Sequence, residues 1–173
     1  MSLDTYDELF AWLEADEAKS RPYRTNRLKL LLEIFSSKES NVMFHGGEDS
    51  YRMYLELRLA FIHGLYYSVI VLALSCIEHE LAGALYAQGF DSSARASLEN
   101  LLISAQDEGL IDSLLCERIN GMRNIRNARA HFRVPLHPTG TVRRALQEDT
   151  GIDELLEQDA VTALRLLAAF IAP

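Results

Sequence analysis

The chain is 173 residues long, 49% of them hydrophobic, and its net charge is −8. This length suffices for one domain with a buried core, and the acidic balance excludes broad electrostatic binding to nucleic acid. Its two cysteines, Cys76 and Cys116, are not in a CxxC pair, so they form no disulfide framework and give no sign of zinc or redox chemistry. We expect a single domain, residues 1–173, in the cytoplasm, since the initial MSLDTYDELF lacks the pattern of a secretory signal.

The N-terminal 49 residues are predicted to contain two helices and a connection. Apolar residues at helical spacing predict the first helix over Tyr6–Ala18, with Asp4 or Thr5 as its N-cap. Pro22 separates this helix from a second one, predicted over Thr25–Ser36. The following segment, SSKESNVMFHGGEDS, favours turns over helix and is predicted to be the connection.

Residues 50–173 are predicted to form an all-α, antiparallel four-helix bundle, since no segment alternates with the period of two that strands show. The central helix is expected to run from Ser50 to about Gln88, with Gly64 as a weak point and Gly89 ending it. The other helices are expected over Ala94–Gln106 with Ser92 or Ser93 as the cap, over Leu110–Phe132 because Pro135 disfavours helix before it, and over residues 153–171.

Residues 59–77, LAFIHGLYYSVIVLALSCI, contain no formal charge and are long enough to cross a bilayer. The segment also contains histidine, glycine, tyrosine and serine, and no cluster of lysine or arginine flanks it on one side. These features favour a buried central helix over a membrane span. We therefore expect no membrane contact.

The basic residues are concentrated in one part of the chain. Seven of the 17 basic residues, all arginines, and none of the 25 acidic residues lie between Arg118 and Arg144. This segment has a charge of +7, and the remainder, with ten basic and 25 acidic residues, has a charge of −15. A local basic segment attracts a phosphate group while the acidic body repels polyanions in general. The alternative is a basic face that is simply solvated.

On a helical wheel, the core-facing stripe of the Leu110–Phe132 helix changes from aliphatic to cationic. Arg126 and Arg129 continue this stripe toward the C-terminus. A guanidinium in such a stripe is costly unless it is paired or hydrated. Either a carboxylate of the central helix, Glu78 or Glu80, compensates it, or the helices open there into a cleft or dimer interface that accepts an anion. The aliphatic members of the stripe are Ile111, Leu115, Ile119 and Met122.

His131 lies about 140° from Arg126 on the same wheel, close to its neighbour Asn127. A straight helix therefore does not aim the arginine and the histidine at one point. Their convergence needs a distorted last turn before Pro135 or a twofold dimer that brings two helix ends together, and we favour the dimer. The C-terminal end of a helix also favours the charged imidazole, which is a proton donor.

The string RNARAH, residues 126–131, resembles the Rx4-6H motif of the HEPN superfamily (higher eukaryotes and prokaryotes nucleotide-binding domains), in which a polar residue commonly follows the arginine. The order of a long apolar helix with an embedded acidic residue, a shorter helix and a motif helix is also similar, so the resemblance covers roughly residues 50–171. It implies an all-α bundle, frequent homodimerisation and, in many members, metal-independent RNA cleavage at a cleft to which both protomers contribute arginine and histidine.

For this chain, the resemblance implies catalysis by Arg126, Asn127 and His131, with no cofactor and no metal. His131 would move a proton, Arg126 would stabilise charge on the phosphoryl oxygens, and Asn127 would orient the phosphate or the histidine. Glu78 is the expected acidic partner of Arg126. The expected additional phosphate-binding residues are Arg123, Arg129 and Arg133.

The expected function is therefore an endoribonuclease of toxin or defence type that acts on RNA, with an antitoxin or another protein as a possible partner. Phe132 and Arg133 follow His131, so the RxxxxHxY form of the motif, in which the tyrosine is a modification target, is not present. The alternative is a noncatalytic module of the same fold that binds a nucleotide or a protein. Transcriptional regulation is disfavoured, because the chain has no helix-turn-helix signature and is acidic.

Overall fold

The computed structural model describes residues 5–35, 43–131, 134, 136–137 and 140–171. Within these ranges the chain forms helices and no strand, which confirms the predicted all-α class. Seven α-helices and a short 3-10 helix at Asp91–Arg95 are present in this part of the chain. The α-helices are α1 (Tyr6–Phe35), α2 (Gly47–Ile62), α3 (Tyr66–Ala87), α4 (Leu98–Asp107), α5 (Ser113–Ala130), α6 (Thr141–Gln147) and α7 (Ile152–Ile171).

The prediction of two N-terminal helices separated at Pro22 is wrong, because α1 continues through this proline. Proline removes one backbone hydrogen bond and crowds the preceding turn, which disfavours a helix interior by about 3 kcal/mol. Here one ion pair spans the proline, since Glu17 lies 3.4 Å from Arg24. Glu17 also lies 3.3 Å from Arg21, just before the proline. The predicted connection lies partly in residues 36–42, outside the described residues, and α2 begins at Gly47.

The predicted N-cap of α1 at Thr5 is confirmed, whereas the predicted N-cap of α4 is wrong. Thr5, one of the two predicted caps of α1, accepts a hydrogen bond from the Glu8 backbone, and Glu8 accepts one from the Thr5 backbone. The other predicted cap, Asp4, lies outside the described residues. Ser92 and Ser93 do not cap α4, because both lie in the 3-10 helix. The cap is Ser97, whose extended backbone aims its side chain at the first turn of α4.

The prediction of one central helix from Ser50 to Gln88 is also wrong, because the chain turns at Gly64. Gly64 has a φ of +75°, a conformation that favours glycine. Its N–H donates to the Phe61 carbonyl and the Leu65 N–H donates to the Ala60 carbonyl, the Schellman pattern that ends a helix. The predicted central helix is therefore two helices, α2 and α3, which pack on each other. Gly89 follows the end of α3 as predicted, with a φ of +95°.

Helix α3 lies at the centre of the fold and packs against α2, α4, α5, α7 and the 3-10 helix. It is the one described helix that is long and apolar enough to cross a membrane, and half of its most apolar window is buried among the other helices. The core that it shares with the helices around it is aliphatic, with two aromatic rings, Phe35 and Phe61, fully enclosed. Helix α1 joins this core only through its C-terminal half, where Leu31 and Phe35 are buried.

The C-terminal part contains one helix that the sequence analysis did not predict. Helix α5 ends at Ala130, before the predicted end at Phe132, which lies outside the described residues together with Arg133 and Pro135. The seven-residue α6 then packs on α7. It was missed because TVRRALQ carries only three apolar residues and gives little periodicity. Helix α7 occupies the predicted range almost unchanged.

Replacing Gly64 tests whether the α2–α3 turn requires a residue without a Cβ atom at this position. A Cβ atom at this position would lie 2.6 Å from Nη1 of Arg27, a guanidinium held by the Ile62 carbonyl and the Tyr66 hydroxyl. Gly64→Ala is expected to lower the free energy of unfolding by about 2–3 kcal/mol, from backbone strain and the disturbed arginine. Gly89→Ala, where a Cβ meets nothing within 4 Å, is the matched control and should cost only about 1–2 kcal/mol. Equal losses in urea unfolding would contradict this account.

Candidate anion site on helix α5

The core-facing stripe of α5 changes from aliphatic to cationic along the helix. Ile119 and Met122 are buried, and the next positions on the same face are Arg126 and Arg129. Helix α5 lies against α3, α4 and α7, so both arginines face other helices. A guanidinium at such a position needs a carboxylate from a neighbouring helix or contact with water. The two arginines meet this need differently.

Arg129 is part of a sealed ion-pair cluster between α5, α6 and α7. Its side chain is 4% exposed and its Nη2 donates to Oδ2 of Asp159, which is itself buried. Arg144 donates to both oxygens of the same carboxylate, at 2.7 and 3.1 Å, and this hydrogen bonding raises the pKa of Arg144 above its usual value. Nη1 of Arg129 is buried without a hydrogen bond, and the guanidinium lies 5.6 Å from the centre of the Tyr67 ring. Arg129 is therefore committed to the structure.

Arg126 has a much looser environment, although it lies one turn away. Its side chain is 21% exposed, and its Nη2 lies 3.8 Å from Oε2 of Glu78, which is 31% exposed. This separation is within the range of an ion pair but beyond that of a hydrogen bond. The Nε–H of Arg126 is buried and has no hydrogen-bond partner within the described part of the chain. Arg126 is therefore held less closely than Arg129 and is partly open to solvent.

Glu80, the other acidic residue considered for Arg126, serves a different purpose. It is fully buried and accepts the backbone N–H groups of His45 at 2.7 Å and Gly46 at 3.1 Å, so it holds the segment before α2 against α3. This contact needs Gly83, since a Cβ there would lie 2.2 Å from the His45 carbonyl oxygen. The same buried layer raises the pKa of the Cys76 thiol to about 12, mainly by desolvation and also through Glu80. Cys76 is therefore protonated at neutral pH and is no nucleophile.

A cavity of about 480 Å³ opens beside Glu78. The segment before α2 forms one wall with His45, α3 forms the floor with Ser75, Glu78 and His79, and the 3-10 helix and α4 close the far side. Both histidines are exposed. Glu78 therefore connects the two features, because it lines this cavity and also contacts Arg126.

The remaining candidate residues are distributed around the C-terminal half of α5. His131 follows the last helical residue, with an extended backbone and an exposed side chain, and no contact joins it to Arg126 within the described residues. Asn127 is half-buried, one position after Arg126. Arg123 contacts Glu99 of α4 at 3.2 Å and Asn120 at 2.8 Å. Arg133 lies outside the described residues.

Several residues that shape this region were not predicted from the sequence. Asp159 and Arg144 complete the cluster around Arg129, and His45 enters the cavity wall through the backbone contact with Glu80. An aspartate within the apolar stripe of α7 was the available signal for Asp159, because a carboxylate there needs a buried cation. No comparable signal marked His45.

Comparison with known proteins gives no match from which a function can be inferred. No protein-family model, no curated protein and no solved structure matches this chain. Within the described residues, no group of three or more histidine, cysteine, aspartate or glutamate side chains is placed to hold a metal ion. The arginine stripe and its carboxylates are therefore the chemical features from which a function is inferred.

Removing Asp159 or Glu78 tests whether the ion pairs of Arg129 and Arg126 contribute differently to stability. Asp159→Ala is expected to lower the free energy of unfolding by about 3–5 kcal/mol, because it leaves the buried Arg129 unpaired and Arg144 with only the exposed Glu148. Glu78→Ala, the matched control on α3, should cost less than about 1 kcal/mol, since its ion pair is long and partly exposed. Urea unfolding of both variants measures this, and a loss at Glu78 as large as at Asp159 would show that Arg126 is also a structural ion pair.

Proposed function

We propose that this chain is a metal-independent endoribonuclease of the HEPN type, with Arg126 and His131 at its centre. In this proposal its helices are arranged as an HEPN-like bundle in which α5 carries the RNARAH motif. Helix order supports the proposal: a long apolar helix with two glutamates, α3, is followed by the short α4 and then by the motif helix. A role in toxin or defence systems, with an antitoxin or another protein as partner, is part of the same proposal.

The proposal rests on the different surroundings of Arg126 and Arg129, which lie on one face of α5. Arg129 is 4% exposed and shares a buried carboxylate, whereas Arg126 is 21% exposed, has one long ion pair and retains a buried Nε–H without a partner. Arg129 likewise keeps one buried donor, Nη1, without a partner, so the two arginines differ in their exposure and in the closeness of their ion pairs. A phosphate group that takes the place of Glu78 can pair two of its oxygens with the planar fork of this partly exposed guanidinium.

The residues support cleavage of RNA by its own 2′-hydroxyl. The 2′-oxygen forms a bond to phosphorus, the bond from phosphorus to the 5′-oxygen breaks, and the products are a 2′,3′-cyclic phosphate and a 5′-hydroxyl. Arg126 stabilises the charge that grows on the non-bridging oxygens, and Asn127 orients the phosphate or the histidine. A base must remove the 2′-proton and an acid must protonate the 5′-oxygen, and a histidine can serve in either role. DNA lacks the attacking hydroxyl and is not a substrate.

A second copy of the chain completes this chemistry. Each chain supplies one His131, exposed at the end of α5 and without a contact to its own Arg126 in the described region. A twofold axis near this helix end would bring two histidines and two arginines into one cleft, so that one histidine acts as the base and the other as the acid. We therefore propose a homodimer as the active form.

The direct test is incubation of the purified protein with a panel of labelled RNAs in EDTA. Wild type is expected to cleave, and Arg126→Ala and His131→Ala are each expected to lower the rate by at least about 100-fold, as loss of charge stabilisation or proton transfer does. Arg118→Ala is the matched control, because Arg118 is an exposed arginine on the same helix. Intact RNA with wild type, or equal cleavage by both variants, would end the nuclease proposal.

A noncatalytic nucleotide-binding module is the second candidate. The cavity of about 480 Å³ beside Glu78 supports it, since this volume lies in the range of small-molecule sites. His45, Ser75 and His79 supply polar groups to its wall, while His131 has no part in it. Binding of a nucleotide with unchanged affinity in His131→Ala, without cleavage of any RNA, would favour this candidate over the nuclease.

Glu78 is expected to compete with phosphate for Arg126 in either case. Glu78→Gln removes a negative charge 3.8 Å from the guanidinium, so we expect about two- to fivefold tighter binding of a 2′-O-methyl RNA, which binds but is not cleaved. Fluorescence anisotropy at fixed salt measures this change. Glu108→Gln, which removes an exposed negative charge at the end of α4, is the control for a general change in charge. Weaker binding by Glu78→Gln than by wild type would contradict the role given to Arg126.

A further inference from the structure

The N-terminal half of α1 extends away from the rest of the fold. Every residue from Thr5 to Lys19 is exposed, and burial begins only in the C-terminal half, where α1 contacts α2 and α7. At 1.5 Å per residue, this arm is about 20 Å long. An isolated helix of this length is marginally stable in water, so a partner that covers one of its faces would stabilise it.

The arm presents an apolar face with no partner in the described structure. Tyr6, Leu9, Phe10 and Leu13 recur at i, i+3, i+4 and i+7, and all four are exposed, Tyr6 to 80%. Leu13 and Leu31 are 18 residues apart, which is five full helical turns, so in a continuous helix they point in the same direction. Leu31 is fully buried against the body of the protein. Leu13 therefore continues the packing face of α1 beyond the point where the body ends. Phe10 lies 18 residues before the exposed Leu28 and so points in the direction of that residue instead.

The charges of α1 divide into two complementary halves. From Tyr6 to Glu17 the helix contains five acidic residues and no basic residue, and from Ala18 to Leu32 it contains five basic residues and no acidic residue. Arg27 is engaged by the body of the protein through the Ile62 carbonyl and the Tyr66 hydroxyl. The acidic members are Asp7, Glu8, Glu14, Asp16 and Glu17, and the basic members are Lys19, Arg21, Arg24, Arg27 and Lys29.

We propose that α1 pairs in antiparallel orientation with α1 of a second copy of this chain. Antiparallel pairing sets the acidic half of each helix against the basic half of the other, and it also aligns the helix dipoles favourably. Parallel pairing would set acidic against acidic and basic against basic. The receiving surface is a shallow, exposed groove of about 450 Å³, lined by Thr25, Leu28, Lys29 and Leu32 of the basic half and by Glu33, which follows it. Because Leu28 and Phe10 point in the same direction, one antiparallel partner can meet both the groove and the arm.

The size of the apolar surface is adequate for this pairing. Each arm carries three aromatic side chains, Tyr6, Phe10 and Trp12, all exposed. An aromatic side chain has about 150–250 Å² to bury, and these three are 80%, 62% and 47% exposed, so two arms together bring on the order of 600–900 Å² before their leucines are considered. Stable protein interfaces bury about 1,200–2,000 Å² in total. The complementarity of the two halves favours a second copy over an unrelated protein, because one helix supplies both sides of the match.

Charge reversal in the full-length protein tests the proposal by sedimentation equilibrium. Wild type is expected to be a dimer, and Asp7→Lys with Glu14→Lys should raise the dissociation constant at least about tenfold, as should Lys19→Glu with Lys29→Glu. All four substitutions in one chain restore the match and should return the dissociation constant to within about threefold of wild type. Asp107→Lys with Glu108→Lys, an exposed acidic pair at the end of α4, is the control and should have no effect.

The outcomes separate this proposal from its alternatives. A monomeric wild type at 100 µM would overturn it, as would a fourfold variant that dissociates as readily as the two double variants. A dimer that none of the reversals weakens would place the interface elsewhere and would also overturn it. Circular dichroism of each variant verifies that α1 remains helical. Phe10→Ser with Leu13→Ser, which leaves every charge in place, should raise the dissociation constant by at least about tenfold as well, because it removes apolar contact area.

Discussion

Arg126 and Arg129 lie one turn apart on the face of α5 that packs against other helices, and the carboxylates that balance them are not equivalent. Asp159 of α7 is buried and is shared by Arg129 and Arg144, and Arg144 also contacts a second carboxylate, Glu148. Glu78 of α3 reaches Arg126 only at 3.8 Å and is partly hydrated. An uncompensated buried charge is unfavourable. Accordingly, Arg129, which has a close carboxylate, is enclosed by the fold, whereas Arg126, which has a more distant one, remains partly exposed.

The two glutamates of α3 show how the fold creates this difference. Glu78 and Glu80 are two residues apart, so their side chains point about 200° apart around the helix. Glu80 turns inward, where its carboxylate accepts two backbone N–H groups from the segment before α2. Glu78 turns toward α5 and the cavity. Since Glu80 is committed to the backbone, Glu78 is the acidic residue of α3 that contacts Arg126, and this contact is long and partly exposed.

Sequence periodicity was sufficient to predict the all-α class and the change from aliphatic to cationic residues along α5, because both depend on residues a few positions apart. It was insufficient where distant residues decide the outcome. Gly64 turns the chain because a Schellman hydrogen-bond pattern and Arg27 favour a turn there, although the surrounding residues are apolar and helix-compatible. Asp159 pairs with an arginine 30 positions earlier, and only packing of α7 on α5 selects it from 25 acidic residues.

The availability of the Arg126 guanidinium is the central claim, and NMR of arginine Nε–H groups measures it directly. The Arg126 signal, assigned by its loss in Arg126→Lys, should shift in a saturable manner as 2′-O-methyl RNA is added. The Arg129 signal should stay in place, because its guanidinium is already held by Asp159. An Arg126 signal that does not respond while RNA binds elsewhere would contradict the account, as would a response of both arginines to the same extent.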